Sequence, residues 1–126
     1  MIIGAGYIAL EFAQMFLRFG AKVTVLERGE RLAAHEDDDV AQCLREILVE
    51  DGIEFIFCTE VKSVSGGDGA VTLELETDDG ALTLAGSHLM VATGRTPNVE
   101  KLRLERVGVK QGKAGYVDVN LSLIHI

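Results

Sequence analysis

Small residues recur at Gly4, Gly6 and Ala9 in the stretch Gly4-Ala5-Gly6-Tyr7-Ile8-Ala9. The spacing is G-x-G-x-x-A, and it does chemistry where an apolar strand leads into it and a helix leaves it. Gly4 then permits a tight strand-to-helix turn. Gly6 lacks a Cβ, so a pyrophosphate can approach the backbone, and Ala9 is small enough to let the helix pack close to the sheet. The free amides and the positive end of the helix dipole, about half a unit charge, hold the anion. Both flanks are present. Met1-Ile2-Ile3 reads as the end of a buried strand, and Ala9, Phe12, Ala13, Phe16 and Leu17 recur at helix spacing from Tyr7 to Phe19.

An acidic residue extends the pattern. The β-branched stretch from Lys22 ends at Glu27, roughly 20 positions past the turn, where a carboxylate can accept both ribose hydroxyls of an adenosine. The alternative is a solvated strand-end charge. A carboxylate here favours NADH over NADPH, since it would meet the extra phosphate with like charge. Arg28 and Arg31 follow, and arginines at this place could bind that phosphate instead. A second notable stretch runs from Val91 to Asn98, with Gly94, Arg95 and the only proline. Ligands of open α/β sheets lie beyond the carboxyl ends of the strands, which would bring Gly94 near a cofactor. Arg95 could meet phosphate or fix the exit from the domain, and an ordinary strand-to-loop turn explains the stretch equally well.

These residues need a scaffold, and the rest of the chain spells one out. Gly20 stops the first helix. "HEDDD", at positions 35–39, is an acidic helix start that complements the macrodipole, and Val40, Cys43, Leu44, Ile47 and Leu48 mark the apolar face of a second helix ending at Asp51-Gly52. "IEFIFCTEV" supplies a third strand and the start of a fourth. The period then changes from that of helices to strict alternation in "VTLELET" and "ALTLAG", with "DDG" as the turn between them. That is an antiparallel meander. The continuous apolar run from His88 to Thr93 reads as a central parallel strand. The fold class is therefore α/β, a Rossmann-like parallel sheet in which an antiparallel β-meander replaces one crossover helix.

Composition narrows the partners. The chain has 126 residues and a formal charge of −8, enough for one domain with a core and unfavourable for nucleic acid or an anionic membrane. No apolar run reaches the roughly 18 residues of a membrane span and no signal-type start is present, so the expected location is cytoplasmic. Cys43 and Cys58 form no C-x-x-C pair and are expected to be buried structural thiols. His35, His88 and His125 show no ligand spacing, and no metal site is expected.

"GAGYIALEFAQMFLRFGAKVTVLER" together with "LMVATGRTPN" resembles the nicotinamide-nucleotide domain of the pyridine nucleotide–disulfide oxidoreductases, a family that includes dihydrolipoamide dehydrogenase, glutathione reductase and mercuric reductase. "YIALEFAQ" and "ATGRTPN" lean toward the mercuric-reductase-like branch. The resemblance extends to about Val119. It implies an FAD-dependent enzyme that takes hydride from NAD(P)H, with NAD(H) favoured, and works as a homodimer. It also implies roles by position. Gly4 and Gly6 would bind pyrophosphate, and Tyr7 would lie by the nicotinamide pocket with Ile8 beside it in the cofactor-binding set. Glu11 would contact the nicotinamide carboxamide and a basic group near the flavin. Glu27 would hold the ribose with Arg28 next to it, Val61 would line the adenine side, and Gly94 and Arg95 would pass near the nucleotide. On physics alone, Tyr7 reads as a partly exposed helix-start aromatic and Glu11 as a surface carboxylate.

The family also uses a first FAD fingerprint, a C-x4-C redox disulfide, a second flavin motif and a C-terminal dimerisation domain with a catalytic histidine. None of these is found in the sequence. The expectation is a fragment from the middle of such an enzyme, without catalytic residues and inactive by itself. Residues 1–93 would be an N-terminally truncated NAD(P)H-binding domain and 94–120 the start of the return into the FAD-binding domain. Residues 121–126, "LSLIHI", would be a non-native tail, since one back-translation matches the end of a common transposon-based sequencing adaptor. The other function compatible with these residues is a stand-alone NAD(H)-binding sensor module without catalysis.

Overall fold

The computed structural model describes residues 1–124. The chain divides into two units, the first Met1–Thr93 and the second beginning at Gly94. In the first unit, β1 (Ile2–Ile3), α1 (Tyr7–Arg18), β2 (Thr24–Leu26), α2 (Asp38–Asp51) and β3 (Glu54–Ile56) alternate. Then β4 (Glu60–Gly67), β5 (Ala70–Thr77) and β6 (Gly80–Gly86) follow without a helix, before β7 (Met90–Val91). Strands β3-β2-β1-β7 form one parallel sheet and β4-β5-β6 a separate antiparallel one. This is the α/β Rossmann-like arrangement, with the meander standing where a crossover helix would.

Strand alternation explains the layering. Successive residues of a strand point to opposite faces. Ile2 and Val25 belong to one core with Ala9, Leu10 and Ala13 of α1 and Ala41 and Leu48 of α2. Their neighbours Ile3 and Leu26 belong to a second core with Leu73 and Leu75 of β5. The parallel sheet is therefore covered by helices on one face and by the meander on the other. The strict alternation of β5 follows from this, since Leu73 and Leu75 are buried while Glu74 and Glu76 face water.

Three expectations need correction. The run ending at Thr93 gives only the short β7, which pairs with β1 alone and so lies at the edge of the parallel sheet rather than in its centre. Its apolar character serves the two cores, which Met90 and Leu89 join on opposite sides. On α2, Leu44 and Leu48 pack as expected, but Val40 and Ile47 are exposed and Cys43 lies with them on the open side. Ala41 is the buried residue in the first turns. The helix carries more apolar residues than one face can bury, and periodicity alone selects the wider stripe. Phe12 of α1 is likewise partly open, and Leu10 takes the core position.

The second unit is built from turns. Two short 3-10 helices, Glu100–Leu102 and Leu104–Val107, precede an isolated bridge between Gln111 and Val117. The Tyr116 hydroxyl donates to the Arg95 carbonyl at 3.4 Å. Leu121 is fully exposed, and Asn120 Oδ1 accepts the amides of Ser122 and Ile124. Within 121–124 the backbone forms a turn rather than a strand; residues 125–126 lie outside the described part.

The two thiols differ. Cys43 is exposed, while Cys58 is partly buried. Burial pushes the Cys58 thiol above its ordinary value, and the carboxylates of Asp78 and Glu30 push it the same way. A thiolate is the reactive form. Titration with an aromatic disulfide at neutral pH is expected to modify Cys43 first, and Cys43→Ser should leave one slowly reacting thiol. A fast residual thiol in that variant would contradict the placement.

Candidate dinucleotide-binding site

The glycine turn joins the end of β1 to α1, and each of its residues is held for a different reason. Gly4 has φ +100°, and a Cβ there would stand 2.6 Å from the Ala92 carbonyl oxygen, at the end of β7. The Gly4 amide donates to the Leu26 carbonyl at 2.8 Å. Gly4 is thus required by the protein itself, at the closest approach between β1 and the segment after β7. Gly6 is different. It is the N-cap of α1 with φ −78° and ψ 174°, an ordinary extended conformation, and a Cβ there would meet nothing within 4 Å. The open space beside Gly6 leaves room for a ligand atom. Ala9, the third small residue, is fully buried between α1 and the sheet.

Ala5 is pinned from both sides. Its amide donates to Glu27 Oε2 at 2.8 Å, and its carbonyl accepts the Ala33 amide at 2.9 Å. The other oxygen of Glu27 accepts the Gly29 amide at 2.9 Å. Leu32, in the loop between β2 and α2, is buried in the same core as Ala5. That loop therefore straps the turn. Helix geometry leaves the first amides of α1 without intrahelical partners, and the first such bond runs from Leu10 to the Gly6 carbonyl. With the Ala5 amide taken, the amides of Gly6, Tyr7, Ile8 and Ala9 are left without an intrahelical partner; Ala9 is buried, so the donors nearest an anion at the helix start are Gly6, Tyr7 and Ile8. No side chain caps α1 and its first turn holds no acidic residue; the carboxylate brought to its positive end is that of Glu27, through the Ala5 amide just ahead of the N-cap. The contrast is α2, whose first turn holds Asp38 and Asp39.

The remaining candidates fall around this turn or apart from it. Tyr7 is 69% exposed at the first position of α1, and Glu11, one turn on, is exposed. Glu27 stands just past β2 and is half-buried, with Arg28 exposed beside it. Arg28 lies near Glu60, whose carboxyl is held below its ordinary value chiefly by the Lys62 ammonium and in smaller part by Arg28. Arg31 is paired with Asp38 and also donates to the Ala34 carbonyl at 3.0 Å. Val61, in β4, packs against the core beneath the meander with Leu26 and Leu73. Gly94, with φ +143°, and Arg95 begin the second unit, where the Arg95 carbonyl accepts the Tyr116 hydroxyl. Among the described residues no group of three or more acidic, histidine or cysteine side chains is arranged to hold a metal, and no helix is long and apolar enough to cross a membrane.

A strand, a turn open at Gly6, a helix with an uncapped start and a carboxylate just past the neighbouring strand are the parts from which a dinucleotide site can be built. Residues 1–124 match the family model for pyridine nucleotide-disulphide oxidoreductases. The chain belongs to that family. It is 37% identical over 119 residues to a mercuric reductase of Staphylococcus aureus, covering 94% of this chain and 22% of that protein. It is 37% identical over 120 residues to dihydrolipoyl dehydrogenase 3 of Pseudomonas aeruginosa, covering 94% and 26%. Among solved structures, the HOCl-induced flavoprotein disulfide reductase RclA of Escherichia coli superposes with a TM-score of 0.78 at 33% identity, covering 98% of this chain and 28% of that one. The chain thus spans about a quarter of the length of these relatives. The family consists of flavin-dependent oxidoreductases that use nicotinamide dinucleotides.

Sequence reasoning missed Ala5, Leu32 and Ala33. The hydrogen bonds of Ala5 and Ala33 are made by the backbone, so their side chains carry no signal. Leu32 had one, as a large apolar residue inside the otherwise charged "RGER" loop.

The two glycines should separate in a stability measurement. Gly4→Ala places a Cβ against a backbone carbonyl at a positive φ, a conformation that costs about 1–3 kcal/mol before any clash. Its melting temperature is expected to fall by several degrees or more. Gly6→Ala is expected to melt within a degree or two of the parent. A comparable loss for Gly6→Ala in a thermal scan would show that the space beside it is not open.

Proposed function

We propose that this chain is the nicotinamide-dinucleotide-binding part of an FAD-dependent oxidoreductase, and that NADH is preferred over NADPH. Residues 1–93 bind the dinucleotide, 94–120 lead toward the FAD-binding part of the full-length protein, and 121–126 are a non-native tail. The observation that carries the reading is the turn itself, open at Gly6, flanked by free α1 amides and faced by Glu27.

The bound nicotinamide supplies a hydride, which in the full-length protein goes to FAD. The residues of this chain bind and orient. The Gly6, Tyr7 and Ile8 amides hold the diphosphate at the positive end of α1. Glu27 accepts the ribose hydroxyls with the lone pairs its two amide contacts leave free, since each carboxylate oxygen can accept more than one hydrogen bond. Tyr7, exposed at the helix start, covers the nicotinamide side. Glu11, one turn further, holds the carboxamide. Arg28, Val61, Gly94 and Arg95 complete the proposed contacts, Val61 on the adenine side.

The 126-residue chain should bind nucleotide and not turn over. Cys43 lies on the open side of α2 and Cys58 after β3, with no second cysteine beside either in sequence. Purified chain with NADH, added FAD and either a disulfide or mercuric ion is expected to show no oxidation above the protein-free rate, followed by absorbance of the reduced nicotinamide.

The nucleotide preference follows from what the loop charges are doing. Arg31 is engaged by Asp38 and by the Ala34 carbonyl, while Glu27 is held at the turn by two amides and Arg28 is exposed beside it; the proposed reading gives the ribose to Glu27. A 2′-phosphate there meets a carboxylate and forfeits a hydrogen bond. One bond to a charged group is worth about 1.5–3 kcal/mol, so Glu27→Ala should weaken NADH binding by roughly one to two powers of ten and narrow the preference. Calorimetric titration of both nucleotides into the chain decides the point, and tighter binding of NADPH by the parent protein would hand the role to Arg28 and Arg31.

A further inference from the structure

Glu27 is in contact with the turn as well as with the place of the sugar. Its two oxygens accept the amides of Ala5 at 2.8 Å and Gly29 at 2.9 Å, the first in the turn and the second in the strap, whose Ala33 amide also donates to the Ala5 carbonyl. We infer that Glu27 is a positioning residue for the diphosphate: by holding the Ala5 amide it fixes the shape of the turn, and so aims the Gly6, Tyr7 and Ile8 amides at the anion before any ligand arrives. The inference rests on the dinucleotide reading of the turn and adds a role that does not involve ribose.

The physical argument is one of alternatives for Ala5. A buried amide has to find an acceptor, and Ala5 is 2% exposed. Without the carboxylate its N–H has two ways to be satisfied: water enters, or the peptide rotates. Turning the Gly4–Ala5 peptide changes φ of Ala5, and unless ψ compensates it displaces the next peptide, which carries the Ala5 carbonyl held by Ala33 and the Gly6 amide. The Gly29 contact supports the same geometry from the other side, because it keeps the Glu27 carboxylate from swinging out to solvent. Three backbone groups, of Ala5, Gly29 and Ala33, are thereby set by one side chain and one loop.

The sign of the effect separates this role from sugar reading. A probe with a diphosphate and no ribose hydroxyls, 2′,3′-dideoxyadenosine 5′-diphosphate, has nothing for Glu27 to recognise directly. If the carboxylate only read hydroxyls, Glu27→Ala would leave the affinity of this probe unchanged, or raise it, since a negative charge near a diphosphate has been removed. If the carboxylate fixes the turn, the affinity falls despite the gain in electrostatics.

Two measurements on the 126-residue chain test it. Amide hydrogen exchange followed by NMR is expected to show Ala5 and Gly29 exchanging roughly tenfold faster or more in Glu27→Ala, with the amides of Val25 and Ile53, away from the turn, unchanged as controls for the fold. In Glu27→Gln, where only one side-chain atom remains an acceptor, one of the two amides should stay protected. Calorimetric titration of the dideoxy probe should show roughly three- to tenfold weaker binding to Glu27→Ala than to the parent. Unchanged or tighter binding of the probe overturns the inference, and so does unchanged protection of Ala5. If the controls also lose protection in Glu27→Ala, both readouts are taken from Glu27→Leu, which keeps side-chain bulk and carries no acceptor, with the same criteria. If the parent binds neither NADH nor the probe, the dinucleotide reading has failed, and the hold on the turn is then judged on the exchange of Ala5 alone.

Discussion

The two peptide groups that meet at Ala5 are each held, the amide of the first by the Glu27 carboxylate and the carbonyl of the second by the Ala33 amide. The geometry of the candidate site follows from that grip. With the Gly4 amide bonded to the Leu26 carbonyl, it occupies the Ala5 amide as well and leaves those of Gly6, Tyr7 and Ile8 at an uncapped helix start. Two neighbours make it possible. Gly4 passes so close to the Ala92 carbonyl that no side chain fits, which brings the turn down onto the sheet. Leu32 is drawn into the core under Ala5, which brings the loop after β2 within hydrogen-bonding distance. Burial of an apolar side chain such as Leu32 is worth about 1.5–3 kcal/mol, more than the roughly 0.5–1.5 kcal/mol net of the Ala33 hydrogen bond. The hydrophobic anchor holds the loop, and the hydrogen bonds set its exact place.

The sheet beneath serves both sides through its alternation. Ile2 and Val25 face the helices while Ile3 and Leu26 face the meander. Parallel strands covered on both faces carry apolar side chains in both directions, whereas β5 alternates because only one of its faces is covered. The change of period in the sequence thus marks where the architecture changes from helical to meander connections. Both crossover helices pack on one face, and the chain reaches β7 only after building the cover for the other.

Much of this was legible because it is local. The G-x-G-x-x-A spacing, the acidic residue about 20 positions on and the alternation of "VTLELET" are read within one or two elements, and they led to the correct fold class and family. What failed was nonlocal. The edge position of β7 is set by pairing with β1, some ninety residues earlier, and its apolar run looks the same in the middle of a sheet as at the edge. On α2 the apolar residues occupy more than one stripe, and only the packing of Ala41 and Leu48 against the sheet reveals which stripe is buried, so Cys43 was misread. The strap at Ala5 and Ala33 escaped because it is made by backbone groups of two alanines, whose side chains would look the same in any other loop. Glu27 was picked out for one role, and its contacts with Ala5 and Gly29 were visible only in three dimensions.

The charges around the turn divide by how firmly they are held. Arg31 is tied to Asp38, but both partners reach solvent, with Asp38 95% exposed, and an exposed pair of this kind contributes at most about 1 kcal/mol. Asp38 belongs to the acidic first turn of α2, which complements the helix dipole, and the same charge engages Arg31 of the loop before it. Glu27 is half-buried and held by two backbone amides, bonds to a charged group worth about 1.5–3 kcal/mol each. Moving Arg31 is therefore the cheaper rearrangement, and moving Glu27 the dearer one. A nucleotide that needed Glu27 out of the way would have to break the contacts that keep the turn in shape, and would lose diphosphate binding along with the obstruction. The proposed preference for NADH thus depends less on how Arg28 and Arg31 are engaged than on a carboxylate that cannot leave without loosening the anion site it stands beside.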